Sequence, residues 1–123
     1  MLYFNINGMS TDKKFVEFIL DQAHAAGTVV AKPMFGEYGL YCDGKIIGLI
    51  CDDQLFIKPT AAGKVFIEDI VEAPPYPGAK NYFLIEDKFE EREWISELIK
   101  ITANSLPQKI MKKKSSMKSP KKK

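Results

Sequence analysis

An α+β domain built on an antiparallel sheet is the fold class this sequence predicts, on three observations. Residues 32–59, KPMFGEYGLYCDGKIIGLICDDQLFIKP, alternate strand-like apolar runs with two short turns. Apolar stripes at helical spacing precede and follow that stretch. A length of 123 residues, 46% hydrophobic and 28% charged, suits one soluble domain with one core.

The elements follow in order. Ser10 or Thr11 is placed to cap a first helix over residues 10–26, which Phe15, Ile19 and Ala23, beside Val16 and Leu20, make amphipathic. Gly27 stops it. Asp43-Gly44 then supplies the positive φ values of a two-residue hairpin turn, and Asp52-Asp53 marks a weaker one. With Asp43-Gly44 as the loop, Cys42 pairs with Lys45, Tyr41 with Ile46 and Leu40 with Ile47. This register puts Leu40, Ile47, Leu49 and Phe56 on one face of a three-stranded meander, and Tyr41, Ile46, Ile50, Leu55 and Ile57 on the other. A sheet apolar on both sides needs two covers. Helices of the chain supply one; a second copy or a bound partner supplies the other. A register off by one, or helices on both faces, is the alternative.

Residues 60–71 read as a short second helix, with Gly63 weakening its first turn and Val65, Phe66 and Ile70 giving apolar contact. The run Ala73-Pro74-Pro75-Tyr76-Pro77-Gly78 removes amide donors and fixes φ, which makes it a stiff surface connector. Residues 82–85 form a strand. Glu90 and Glu91 sit in the first turn of a final helix whose buried stripe is Trp94, Ile95, Leu98, Ile99 and Leu106.

Charge is partitioned along the chain. From Pro107 onward there are eight lysines (Lys109, Lys112, Lys113, Lys114, Lys118, Lys121, Lys122 and Lys123) and no acids, while residues 1–106 carry ten basic and sixteen acidic groups. The body is therefore about −6 and the tail +8. Such a tail, over residues 107–123, is expected to be disordered. It would attract DNA or RNA weakly and without sequence readout. The competing reading is a solubilising appendage, or one that partly neutralises the acidic body. Ile110, Met111 and Met117 give little apolar anchorage, so no membrane role is expected. Met1-Leu2-Tyr3-Phe4 is too short for a signal segment, which points to a cytoplasmic protein.

Cys51 lies six positions along the strand from the partner of Cys42, roughly 20 Å at strand rise, so the two cysteines are expected to be free thiols. With His24 as the single histidine, no metal or other cofactor is expected.

Taken in order, the first helix, Met34-Phe35-Gly36, Gly39-Leu40-Tyr41, Asp43-Gly44, the strand to Lys58, the proline-rich run, Tyr82-Phe83 and Trp94 resemble the N-terminal domain of the TfoX/Sxy family, associated with competence for DNA uptake. The resemblance covers residues 10–106 and leaves residues 1–9 as an N-terminal arm, with Met9 a candidate start. It implies a two-layer, secretion-chaperone-like domain in the order α-β(3)-α-β(2)-α with an antiparallel sheet. Full-length competence regulators of the family carry a second, helical C-terminal domain, whereas here the folded pattern is expected to end near Leu106-Pro107, with a lysine-rich tail after it.

Catalytic motifs are absent: there is no nucleophile elbow, P-loop or dinucleotide fingerprint. Gly36 and Gly39 punctuate a corner of the sheet, and Asp52-Asp53 sits at a turn pointing to solvent. The candidate interaction surface is Lys32, Met34, Phe35 and Lys58, an aromatic corner flanked by two lysines. These readings converge on a non-enzymatic accessory or regulatory protein in transcription or competence. Its expected partners are a second copy of itself, a regulatory protein and, weakly, nucleic acid. The alternatives are a small-ligand-binding protein or enzyme with a pocket near Phe35, and a nonspecific nucleic-acid binder acting through its tail.

Overall fold

The computed structural model describes residues 11–107. Its first helix, α1 (Lys13–Gln22), is capped by Asp12, whose carboxylate accepts the Lys14 N–H at 2.9 Å. The cap expected at Ser10 or Thr11 moves because the Thr11 hydroxyl is otherwise engaged. It donates to Glu37 Oε1 at 2.5 Å and accepts the Asp53 N–H at 3.2 Å. The end predicted at Ala26 resolves into a separate 3₁₀ turn, His24–Ala26, closed by Gly27 at φ +144°.

Four strands follow: β1 (Val29–Met34), β2 (Glu37–Cys42), β3 (Lys45–Cys51) and β4 (Gln54–Ile57). Each pair is joined by two residues at positive φ, Phe35-Gly36, Asp43-Gly44 and Asp52-Asp53, as the hairpin turns matching sheet twist require. Then come α2 (Ala61–Ile67), β5 (Glu72–Ala73), β6 (Tyr82–Ile85) and α3 (Arg92–Ser105). The strands form one antiparallel sheet in the order β1-β2-β3-β4-β6-β5. The predicted α+β class with an antiparallel sheet is the observed one. Four strands rather than three precede α2; the extra one is β1, an edge strand, where Pro33 is tolerated because one row of amides has no ladder partner.

The predicted register holds for Cys42 with Lys45 and Tyr41 with Ile46, then breaks. A bulge shifts Leu40 from Ile47 to Gly48. Side chains two apart in β3, Ile47 and Leu49, therefore face opposite ways. This corrects the predicted faces: Leu40 and Ile47 join Ile50, Leu55 and Ile57 under the helices, while Leu49 and Phe56 join Ile46 on the other side. The helix-side core centres on Ile19, Leu40, Ile47, Ile50, Leu55, Ile57, Ile95, Leu98 and Ile99, each fully buried. A second, smaller cluster of Leu49, Cys51 and Phe56, flanked by Met34, Ile46, Ala73, Tyr82 and Leu84, takes no side chain from any helix among the described residues. Two apolar faces were expected, and two are present.

Helix α2 is shorter than predicted. Thr60 caps it by accepting the Gly63 N–H at 2.9 Å, and Glu68 ends it at φ +72°. Phe66 and Ile70 pack on the core as expected, whereas Val65 is 77% exposed on the outer side of the helix. Glu90 and Glu91 precede α3 instead of forming its first turn, because residues 88–90 close a separate 3₁₀ turn. Trp94 is half-buried against Phe66, ring centroids 5.3 Å apart. No helix among the described residues is long and apolar enough to cross a membrane.

Candidate interaction groove

The sheet face that no helix of the described residues covers carries a groove of about 850 Å³, within the usual range for ligand sites. Its floor combines Leu49 and Cys51, turned outward by the bulge, with Ile46, Met34 and Tyr82. One lip is the β1–β2 hairpin. There Phe35 takes φ +51° in the two-residue turn and is 99% exposed, pushed off the sheet by the tightness of the loop. The opposite lip is Pro75-Tyr76-Pro77, held by a turn in which the Ala79 N–H donates to the Tyr76 carbonyl at 3.1 Å and Gly78 sits at φ +90°. Lys58 and Asp52 place charges of both signs on the rim.

Three of the four residues singled out in the sequence, Met34, Phe35 and Lys58, line this groove together. Lys32 does not; its ammonium lies 5.0 Å from the Tyr41 ring centroid in a cation–π contact on the same face. The proline-rich run, expected to be only a connector, supplies a wall, and Leu49, Cys51 and Tyr82 were not anticipated as floor. The adjacent glycine in β3, Gly48, was the signal available: strand glycines often mark bulges, and a bulge reverses which side chains face outward. The eight tail lysines and the N-terminal arm lie outside the described residues.

The floor is electrically quiet. Burial, reinforced by the Glu37 and Asp52 charges, pushes the Cys51 thiol up to about 11, and burial raises the Tyr82 phenol as well. Both groups are neutral near pH 7. A neutral thiol is a poor nucleophile, so the arrangement suits apolar contact rather than covalent chemistry. Cys42 and Cys51 are both free, as expected. Among the described residues, no three histidine, cysteine or carboxylate groups stand close enough to hold a metal ion.

Comparison with known proteins agrees with this architecture. Residues 21–118, from the end of α1 to beyond α3, match the model of the TfoX N-terminal domain. The chain belongs to the TfoX N-terminal domain family. It is also similar to a protein of Spirochaeta aurantia described as "Uncharacterized 12.7 kDa protein in trpE 5'region", with 42% identity over 99 residues, or 80% of this chain and 86% of that protein. The TfoX match spans both lips and the whole floor of the groove.

Proposed function

We propose that this TfoX-type domain is a non-enzymatic, cytoplasmic accessory regulator, acting in transcription or competence control. In this reading it works as a homodimer joined through the groove-bearing face of its sheet, and its lysine-rich tail adds loose affinity for nucleic acid. One observation carries the dimer: Phe35 stands almost wholly in solvent beside an apolar hollow on the same face. A two-fold interface uses the same patch twice, so that patch must hold both projection and recess. Asp52 before β4 and Lys58 after it put opposite charges at the two ends of that strand, which a two-fold pairing can bring together. Seating Phe35 of one copy in the hollow of the other covers the apolar face that no helix of the described residues reaches. The groove could also take a small apolar ligand, but that reading leaves the Phe35 ring without a role.

The test is the solution mass by light scattering at low and moderate salt, for the wild type and for Phe35→Asn. Asparagine tolerates the positive φ of the turn, so the variant keeps the hairpin while losing the ring. A dimer that persists in salt and becomes a monomer in Phe35→Asn is the expected result. A wild-type monomer, or a variant that dimerises equally well, contradicts the proposal. For the tail, the full chain should bind a DNA duplex with affinity falling steeply in salt, and removal of residues 108–123 should abolish that binding. An unchanged affinity after removal would take the tail out of the proposed function.

A further inference from the structure

A second feature shares no residue with the groove beside Phe35. Around the Phe66–Trp94 pair lie two recesses, of about 660 and about 690 Å³, which have these two rings in common. Glu68, Asp69, Glu86 and Asp87 line one; Glu91, Glu93 and Glu97 line the other. Seven of the sixteen carboxylates of the chain thus surround one aromatic ridge. The two cations beside it are already engaged. Lys88 pairs with Glu91 at 3.6 Å and leans over the Trp94 ring at 5.8 Å, while Arg92 pairs with Asp21 at 3.0 Å. Val65 and Val71, 77% and 42% exposed, extend the apolar part of the first recess to the surface.

An acidic rim around exposed valines and a tryptophan face is complementary to a segment that alternates lysines with a few apolar side chains. The chain contains one. We propose that this face is the docking site for the chain's own segment 108–123, QKIMKKKSSMKSPKKK. Lysine ammoniums meet the carboxylates, and the lysine stems with Ile110, Met111 and Met117 lie along Val65, Phe66 and Trp94. Geometry permits it. Lys45 donates to the Ala103 and Leu106 carbonyls at 2.9 and 3.2 Å, fixing where the chain leaves the end of α3. From there back to Trp94 is about 18 Å at helical rise, and the sixteen residues beyond Pro107 span up to about 50 Å when extended.

Docking has a regulatory consequence. The same lysines serve the acidic face and nucleic acid, so a polyanion must displace the face to gain the tail, and low-salt affinity for DNA is held below what the tail alone would give. The inference needs only the charge of the lysines and does not depend on whether the tail binds nucleic acid.

Trp94 is the single tryptophan of the chain, so its fluorescence reads the site. Acrylamide quenching is measured on the full chain at about 20 mM and about 500 mM salt, where screening differs several-fold. Three proteins are compared: the wild type, a tail variant (Lys112→Gln, Lys113→Gln and Lys114→Gln) and a face variant (Glu86→Gln and Asp87→Asn). In the wild type the quenching constant should rise about two-fold with salt as the tail leaves. Both variants should show the higher constant already at low salt. The contact between Lys88 and Trp94 is common to all three and cancels in the comparison. A constant independent of salt, or identical in wild type and tail variant, overturns the proposal. Protection that strengthens with protein concentration also overturns it, in favour of a tail from another copy.

Discussion

Phe35 occupies a position where its own backbone argues against it. Both residues of a type I′ turn take positive φ, which glycine or asparagine adopts readily and a bulky side chain resists at a cost of roughly 1–2 kcal/mol. The chain nevertheless places an aromatic ring there, 99% exposed, at the lip of an apolar groove. Local strain with no compensating burial within the described residues is the signature of a side chain used for contact. Cys51, on the groove floor, carries a pH dependence. Its thiol is raised from 9.0 to about 11, chiefly by burial, so between these values the folded state holds a proton that the unfolded state releases. The stability this contributes is fully present below pH 9 and is lost as pH rises towards 11. Urea midpoints measured from pH 8 to 11 should therefore fall more steeply for the wild type than for Cys51→Ala; equal slopes would contradict the assignment.

The two central hairpins show how a single inserted residue decides a surface. Side chains alternate strictly along a strand, so the bulge opposite Leu40 moves Leu49 and Cys51 out of the helix-side core and onto the open face. Gly48 is what lets the strands close there: a Cβ at this position would lie 2.3 Å from the Phe56 carbonyl oxygen. Gly48→Ala should destabilise the domain by about 1–3 kcal/mol, because that oxygen belongs to the paired backbone of β4 and cannot swing aside. An unchanged urea midpoint would mean that the strands separate freely at this point. Much of this was legible beforehand. The Asp43-Gly44 turn announced its hairpin, and the stripes of α1 and α3 announced their buried faces, because periodicity and turn chemistry are local properties. The bulge had one local signal, Gly48, but its register depends on what the neighbouring strand presents. Strand β1 was missed for a related reason: Lys32-Pro33 weakens a strand reading until its place at the sheet edge is known.

Among the described residues the sheet has one face covered by helices and one that no helix covers, and along the chain an acidic body is joined to a basic tail. Met34, Phe35 and Lys58 could be picked from the sequence because they flank a distinctive corner. Tyr76 and Tyr82 could not, since a loop and a strand more than forty residues beyond Phe35 fold back to complete the groove. Charge partition was visible in the sequence, but the gathering of seven carboxylates around Trp94 required the fold. The two proposals use separate surfaces, one for a second copy and one for the chain's own lysines. In the proposed function, regulation runs through the seating of Phe35 of one copy in the groove of its partner. Mixing isotope-labelled and unlabelled protein and recording filtered NOEs detects that contact. Cross-peaks from the Phe35 ring of one copy to Leu49 and Met34 methyls of the other are the predicted result. A sample with the mass of a dimer that lacks these cross-peaks would place the interface elsewhere and contradict it.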